Sequence, residues 1–542
     1  MEDAETTSME NGQQAIPEQS PSSESRRLYP LMTLGTTFAL IAWTALSDWL
    51  IYRSFGYAGP AVFFSVAPWC FVLARRERDA ERNYLLTRLV CVALLAIVVV
   101  RLVVLGNAWV FLTGVLMTFA LALARSRTFP WALETMALFL RSPLDGIIWI
   151  CTHRLPKVPV GENVHVRRGS VANWLLPLVT TSVFAGIFVL ANPDLVRWVS
   201  QRISDSVDWV WDWAGRLSPW EVPFCVVSLA IGAGLLYPAY GKRQIGGDDP
   251  PAFGDGTHET PIYFAIRNTL SCLVVLFTAY LAFEFWTLWK REFPTNFYYA
   301  GYAHQGAAWL TIALALATGL LSLIFHGGTL KDPRIRTLKR FAWVWSALNF
   351  LLAVAVFNRL SIYVGYNGLT PMRIVGYFGI SAVVAGFALV VVKVAQNRGF
   401  WWLMRTQLTA LMLVVILFIL FPVDFVAHSY NSGRIKSGYL HPSVMIAVKP
   451  MDDLGYLSII DLIDCEDPII RDGVRAMLAE RQLSIEQENR DRRWHWTRFQ
   501  ASTDQLYKAM ADRESKWANL RTNTKLRRVS VESFKTYSMQ WY

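Results

Sequence analysis

Charged residues are scarce in this chain of 542 residues, since only 17% are Asp, Glu, Lys or Arg. Hydrophobic residues make up 54% of the sequence, more than soluble globular proteins usually contain. This balance excludes an ordinary water-soluble domain. Cysteine is also rare: the six cysteines are scattered, and no Cys-x-x-Cys pair occurs. The chain therefore offers neither a disulfide framework nor the ligand spacing of a zinc site.

Sequence motifs that carry known chemistry are also missing. The chain lacks the phosphate-binding loop, the dinucleotide-binding glycine pattern, the His-Glu-x-x-His helix and the Gly-x-Ser-x-Gly turn. No catalytic residues, no metal site and no cofactor are therefore predicted. The formal net charge is +11, but the basic residues are dispersed among many loops. That dispersion argues against a nucleic-acid partner and makes membrane lipids with anionic headgroups the expected partners.

Long apolar segments are what the chain has instead. A helix needs about 17–25 apolar residues to cross a bilayer core of about 30 Å, and eleven segments approach that length. They predict an all-α fold, a polytopic transmembrane helix bundle of about eleven spans. The segments are 31–52, 58–74, 85–105, 108–124, 171–191, 222–238, 262–286, 306–326, 341–358, 374–395 and 406–425.

The distribution of basic residues predicts the orientation of these spans. Lys and Arg are enriched in loops that remain in the cytoplasm. Here they are concentrated in alternate loops, beginning with the residues before the first span. The N-terminus is therefore predicted to be cytoplasmic, and eleven spans place the C-terminus outside the cytoplasm.

Composition divides the chain into three parts. Residues 1–30 are polar, without the apolar core of a secretory signal, and are predicted to form a disordered cytoplasmic tail. Residues 31–425 contain the apolar segments and form the transmembrane domain. Within it, residues 131–150 mix charged and apolar residues and are predicted to lie on the membrane surface. Residues 426–542 are predicted to form an extracytoplasmic α-helical tail.

The tail has the pattern of amphipathic helices. From Val474 to Tyr542 it contains neither glycine nor proline, and apolar residues recur at helical spacing among charges. Helices that fold back onto the membrane domain would account for this pattern. An arm that binds another membrane or extracytoplasmic protein would account for it as well.

Polar residues near the ends of the spans form a second pattern. Under the predicted orientation they all lie at the outer level of the membrane. Charged residues inside spans are costly and usually face a bundle interior or a cavity, so each is a candidate for a site. The candidate residues of this outer polar layer are Asp48, Arg101, Glu284, Tyr302, His304, Arg359, Tyr363, Arg373 and Asp424.

Two interpretations of the outer polar layer stay open. Its acids and arginines can pair with one another or extend to the headgroups, which is a structural role. Alternatively they face a ligand, an ion or a partner, with His304 titratable near neutral pH. The turn "YNGLT" at 366–370 has a sufficient structural explanation. Gly365 and Gly368 suit a tight turn, and Thr370 can cap the next helix.

Five short stretches resemble a known family. They are "SDWLIY" at 47–52, "VFAGIFVLANP" at 183–193, "YAHQGAAWL" at 302–310, "NRLSIYVGYNGLTPMR" at 358–373 and "SYN" at 429–431. In this order they resemble a family of bacterial polytopic membrane proteins catalogued as domain of unknown function forty-one-seventy-three. Asn367 stands where that family usually has an aromatic residue. The resemblance implies a multi-pass protein of a bacterial cytoplasmic (inner) membrane, and it implies no activity.

Three functions are compatible with these observations. The first is a non-enzymatic sensor, scaffold or assembly factor with an outward-facing polar pocket. The second is a transporter or flippase-like carrier of an anionic substrate, in which Arg359 and Arg373 bind the anion and Asp48 or Glu284 is the coupling acid. The third is a membrane-embedded transferase with His304 as its base. The first is preferred, and the third ranks lowest because no nucleophile or metal set accompanies His304.

Overall fold

The computed structural model describes most of the chain, and every regular element in the described residues is a helix. The described residues are 33–74, 85–126, 129–152, 218, 220–236, 263–286, 299–325, 333–396, 398–491 and 495–541, with the backbone alone for 152, 299–309, 323 and 491. The predicted tail 1–30 and the predicted span 171–191 lie outside them. The prediction of an all-α helical bundle is confirmed for the part that is described.

Eleven helices make up the N-terminal part of the described chain. They are α1 (Leu34–Ser47), α2 (Ala58–Leu73), α3 (Leu85–Leu105), α4 (Ala108–Arg125), α5 (Ala132–Thr152), α6 (Glu221–Leu236), α7 (Tyr263–Glu284), α8 (Tyr299–Ile324), α9 (Ile335–Asn367), α10 (Pro371–Gln396) and α11 (Phe400–Leu420). A π-helical turn, Asp48–Tyr52, continues α1.

Seven of these helices are long and apolar enough to cross a membrane, judged by length and composition. They are α1 with its π-helical turn, α3, α4, α7, α9, α10 and α11, while α2, α6 and part of α8 are apolar but shorter. Large apolar side chains on their surfaces are exposed, as expected for helices that face lipid in a multi-pass membrane protein. The number of spans stays a prediction.

The first six helices form one half of the bundle. α1 packs on α2 and α6, α3 packs on α2 and α4, and α5 lies along α6. Aromatic residues fill the core between them, where the Trp43 and Phe63 rings meet edge-on with centroids 5.1 Å apart. Glycine permits the closest approach of two helices. A Cβ at Gly146 of α5 would lie 1.8 Å from the carbonyl oxygen of Ala230 in α6.

α5 forms from the segment predicted to lie on the membrane surface, a position that stays a prediction. It packs against α4, α6 and α11, and its acidic residues Glu134 and Asp145 are only 4% and 9% exposed. Glu134 lies close to Arg405 of α11, with 3.3 Å between Oε1 and Nη2. Two of the three charged side chains of this segment thus face other helices, while Arg141 is 56% exposed.

Helices α7 to α10 form the other half of the bundle, and α11 joins the two halves. α9 packs on α7, α8 and α10, while α11 contacts α10 on one side and α4 and α5 on the other. The core of this half contains Trp345 and Phe387, which are 1% and 0% exposed. With 33 residues, α9 is about 50 Å long. It therefore extends beyond a bilayer core of about 30 Å.

The C-terminal part of the chain is a separate cluster of helices, of which all but one have at most 15 residues. They are α12 (Val423–Lys436), α13 (Ser443–Val448), α14 (Asp453–Ile459), α15 (Pro468–Asp491), α16 (Ala501–Ala511), α17 (Ala518–Thr522) and α18 (Thr524–Ser538). They enclose a core of their own, in which Leu506, Trp517 and Phe534 are all 0% exposed. We call this cluster the C-terminal domain. Its helices accord with the amphipathic pattern of the sequence.

Candidate functional site

The C-terminal domain sits on one end of the bundle, where turns between helices present their backbone groups. Asn431 of α12 makes two hydrogen bonds to Leu369, in the turn between α9 and α10. Its Nδ2 donates to the Leu369 carbonyl at 2.8 Å, and its Oδ1 accepts from the Leu369 amide at 2.7 Å. Gly368 in this turn has a φ of +82°, and a Cβ there would lie 2.6 Å from Asn431 Oδ1. The turn therefore requires glycine at that position.

Two other turns at the same end of the bundle also contact the C-terminal domain. Between α1 and α2, the Phe55 amide donates to Thr497 Oγ1 at 3.0 Å. Between α3 and α4, the Gly106 amide donates to Gln500 Oε1, and Gln500 Nε2 donates to the Leu102 carbonyl at 3.1 Å. Three inter-helix turns are thus joined to one domain by side chains that bind backbone groups.

The predicted residues Glu284 and Arg359 form a buried ion pair in the second half of the bundle. Arg359 Nε donates to Glu284 Oε1 at 2.6 Å, and Nη2 binds Oε2. The Tyr280 hydroxyl donates to Glu284 Oε2 at 2.9 Å and accepts from Arg359 Nη2 at 3.1 Å. The side chains of Arg359 and Glu284 are 5% and 2% exposed. Breaking this ion pair would leave an uncompensated buried charge, so the pair is costly to separate.

Arg373 and Tyr363, also predicted, meet at the turn between α9 and α10. The guanidinium carbon of Arg373 lies 4.0 Å from the centroid of the Tyr363 ring, a cation–π contact. Nη1 of the same arginine donates to the Gly368 carbonyl. Thr370 caps α10 as expected, since its Oγ1 accepts from the Arg373 amide at 3.3 Å. Gly365 is not part of the turn but lies within α9.

Arg101 and Asp424, two further predicted residues, lie where α3 meets the C-terminal domain. Asp424 and Asp452 are the carboxylates whose charges act on the Arg101 guanidinium. Asp424 Oδ2 accepts from the Asp452 amide at 2.9 Å, and Asp452 Oδ1 accepts from the Gly455 amide at 2.8 Å. Burial raises the pKa of Asp452; the Gly455 amide and Arg101 oppose that rise, and Asp424 adds to it.

A histidine that the sequence did not single out completes this group. His428 lies one turn after Asp424 on α12 and is 1% exposed. Neither of its ring nitrogens has a hydrogen-bond partner among the described residues. Burial lowers the pKa of His428, although the Asp424 charge opposes this effect, so the neutral imidazole is favoured at neutral pH. We call Arg101, Asp424, His428 and Asp452 the junction cluster.

Asp48 pairs with residues outside the predicted set. It begins the π-helical turn after α1, an irregularity that is frequent at functional sites. Arg53 Nε lies 3.1 Å from Asp48 Oδ2 and donates to Glu221 Oε1 of α6 at 2.7 Å. The Cys225 thiol lies 3.7 Å from Asp48 Oδ1. One arginine between two carboxylates leaves this group with a net negative charge when all three are ionised.

The remaining predicted residues, Tyr302 and His304, lie on the backbone of α8, and their side chains are outside the described residues. The other seven lie near the end of the bundle that the C-terminal domain covers, but they do not share one set of partners. They belong to the Glu284–Arg359 pair, the Arg373–Tyr363 contact, the junction cluster and the Asp48 group.

Sequence reasoning missed several members of these groups. His428 and Asp452 follow the last apolar segment, where polar residues are ordinary, so nothing marks them as unusual. Arg53 lies in a loop and is inconspicuous for the same reason. Tyr280 lies four residues before Glu284 on one helix, and that spacing could have identified it as a partner.

These groups can bind a ligand or partner by charge and hydrogen bonds. Among the described residues, no cluster of three or more His, Cys, Asp or Glu side chains could hold a metal ion. The carboxylates and the buried imidazole of the junction cluster can also exchange protons.

A family model matches most of the chain, including the junction cluster. This family is described as "Domain of unknown function (DUF4153)", and the match covers residues 89–455. No curated protein and no solved structure matches the chain. The family number inferred from the short stretches, forty-one-seventy-three, is therefore wrong. The expectation of a domain without an assigned activity agrees with the match.

Proposed function

The chain belongs to the DUF4153 family of domains of unknown function, and on that premise we propose a non-enzymatic role as a scaffold, assembly factor or sensor. In this role the bundle anchors the C-terminal domain and presents it in a fixed orientation at the membrane surface. The partner would be another membrane or extracytoplasmic protein that binds the C-terminal domain. Membrane lipids would surround the bundle.

The attachment of the C-terminal domain to three inter-helix turns is the observation that carries this proposal. Asn431, Thr497 and Gln500 each bind backbone groups of a different turn. The position of a turn follows the two helices that it joins, so a domain held at three turns has a defined orientation relative to the whole bundle. A loosely tethered domain would need none of these contacts.

We also propose that the C-terminal domain lies outside the cytoplasm, on a bacterial inner membrane. The turns that it contacts follow α1, α3 and α9. Basic residues cluster at the opposite ends of those helices: two before α1, five at 75–88 and five at 331–340. The tendency of basic loops to remain in the cytoplasm supports the covered end of the bundle as the outer one.

Carriage of an anion by Arg359 and Arg373 has less support. Arg359 is paired with Glu284, and Arg373 donates to the carbonyl of Gly368. Both arginines are buried, at 4% and 8% exposed, so an incoming anion would have to displace protein partners from them. A transferase centred on His304 has no support from the described residues, because its side chain lies outside them.

The test is to release the domain while leaving both folded parts intact. Changing Asn431 and Gln500 together to alanine removes hydrogen bonds to two of the three turns. In cells lacking the natural gene, we expect this double variant to reach the membrane in normal amount and yet fail to complement the defect. The matched control changes Asp504 and Lys508 to alanine. That removes an exposed ion pair of α16 and should complement fully.

Limited proteolysis of purified protein verifies that the domain has been released. Full complementation by a double variant whose domain is released would overturn the proposal. A saturable anion flux into liposomes that is abolished by Arg359→Lys would support the carrier function instead of the scaffold function.

A further inference from the structure

A cavity of about 290 Å³ opens between α2, α3 and α4, far from the C-terminal domain. α4 begins beside the turn that contacts the domain, and its 18 residues span about 27 Å. Arg125, at the other end of α4, lines the cavity together with Arg88 from the first turn of α3. The cavity therefore lies near the opposite membrane surface, at the depth of the lipid headgroups.

Two of the residues that line this cavity, Arg88 and Arg125, are basic. Arg88 Nε donates to the Ala124 carbonyl and Nη2 donates to the Arg125 carbonyl, both at 3.2 Å, which fixes the guanidinium beside the cavity. Of the lining residues that the structure describes, none is acidic. Two guanidinium groups at one cavity favour an anion, and their planar donors match a phosphate group well.

The rest of the cavity wall is apolar. Phe71 and Leu121 are buried at 3% and 7% exposed, while Val72 and Val92 are half-exposed, at 50% and 46%. The apolar wall therefore continues onto the surface that faces lipid. A small soluble anion would gain nothing from such a wall, whereas an amphiphile would bury its first methylene groups there.

We propose that this cavity binds one anionic phospholipid. The phosphate is held by Arg88 and Arg125, and the acyl chains leave the cavity along Val72 and Val92. The site lies at the end of the bundle away from the junction cluster. It is therefore independent of the proposed scaffold role, and either proposal can fail without the other.

The experiment is lipid titration of the full-length protein in detergent, followed by native mass spectrometry and thermal unfolding. We expect phosphatidylglycerol to bind and to raise the unfolding temperature, and phosphatidylcholine to bind weakly. Arg88→Gln combined with Arg125→Gln should weaken phosphatidylglycerol binding about tenfold or more, because charge-assisted hydrogen bonds are lost. Arg336→Gln is the matched control, since Arg336 is an exposed arginine in the first turn of α9, and binding should be unchanged.

A second variant keeps the proposal testable if loss of Arg88 disturbs the end of α4. Val92→Trp fills the cavity from a half-exposed position and leaves both arginines in place. It should also reduce phosphatidylglycerol binding, without lowering the unfolding temperature of the lipid-free protein.

Three results would overturn the proposal. Equal binding of phosphatidylcholine would show that charge does not select the ligand. Equal stabilisation by inorganic phosphate would identify a soluble anion rather than a lipid. Unchanged phosphatidylglycerol binding in both the double arginine variant and Val92→Trp would place the lipid elsewhere on the protein.

Discussion

The bundle and the C-terminal domain expose opposite kinds of side chain. On the bundle, Leu86, Trp69 and Leu276 are 74%, 65% and 61% exposed. On the C-terminal domain, the surface carries ion pairs such as Lys508–Asp504, whose side chains are 72% and 41% exposed. The difference shows that each exterior suits a different solvent, lipid for the bundle and water for the domain.

The interiors of the two regions differ as well. The bundle buries the complete Glu284–Arg359 ion pair. The C-terminal domain buries a neutral polar contact, in which Trp517 Nε1 donates to Gln482 Oε1 at 3.0 Å. Its Arg481–Asp453 ion pair stays partly exposed, with the two side chains at 23% and 7%. A charge within a membrane finds no water, so it must be paired inside the protein. A domain surrounded by water can leave most of its charges on the surface. Four substitutions test this contrast.

Trp517→Ala should have the largest effect, and the effect should be confined to the C-terminal domain. Removing a fully buried indole leaves a cavity and takes the donor from Gln482 Oε1, at a cost of about 3–5 kcal/mol in the free energy of unfolding. Hydrogen exchange should show lost protection in α15 to α18 and unchanged protection in α7 to α10. Phe499→Ala, at a side chain that is 49% exposed, is the control and should cost less than about 1 kcal/mol. Loss of protection throughout the bundle would show that the bundle and the C-terminal domain do not respond separately to this substitution.

Glu284→Gln should destabilise the bundle and spare the C-terminal domain. Glutamine keeps the shape of the side chain but removes the charge that neutralises Arg359, so we expect a loss of about 3 kcal/mol in the free energy of unfolding. Thermal unfolding of the full chain in nanodiscs measures it. Asp504→Asn, which changes an exposed pair, should cost less than about 1 kcal/mol. Equal losses in the two variants would mean that burial does not distinguish the pairs.

Asn431→Ala should act on the boundary between the two regions. It removes both hydrogen bonds to Leu369 and should cost about 1–3 kcal/mol in the free energy of docking. Hydrogen exchange should increase at residues 366–370. Asn523→Ala is the control, because it removes the side-chain cap of α18 within the domain and leaves that turn alone. A turn that stays protected in Asn431→Ala would show that other contacts hold the domain.

His428→Leu should have the smallest effect, visible only as a change in pH dependence. Burial lowers the pKa of His428 below its usual 6.5, so the unfolded chain binds the proton more tightly. Stability is therefore lost as the pH falls from about 6.5 towards the folded-state pKa, by at most about 1.4 kcal/mol per pH unit.

The leucine variant should lack this loss when thermal unfolding is measured between pH 7 and pH 5. Burial raises the pKa of Asp452 above its usual 3.8, so its contribution has the opposite sign and decreases as the pH rises above that value. An unchanged pH profile in His428→Leu would mean that the histidine is not the titrating group.

The fold class could be predicted because hydropathy is a local property. Ten of the eleven apolar segments coincide with helices, and the other one, 171–191, lies outside the described residues. The position of each polar residue along its helix also follows from the local sequence. Arg359 near the end of α9 and Arg373 in the first turn of α10 both lie near the covered end of the bundle.

The pairing of those residues could not be predicted, because it depends on which helices are neighbours. Periodicity identifies a face of a helix but not what packs against it. Glu284 and Arg359 are 75 residues apart in the chain and meet only because α7 packs on α9. The same limit applies to Glu134 of α5, whose partner Arg405 lies on α11.

The contact between Gly106 and Gln500 has a consequence for how the protein is made. The two residues are 394 positions apart. At about 5–20 residues per second, a ribosome adds the second on the order of 20–80 s after the first. During that interval α3 and α4 must hold their hairpin in the bilayer with the turn amide bonded to water. Closure of the C-terminal domain over the three turns is thus a late step of biogenesis, and nascent chains stalled before it would display those turns to quality-control proteases.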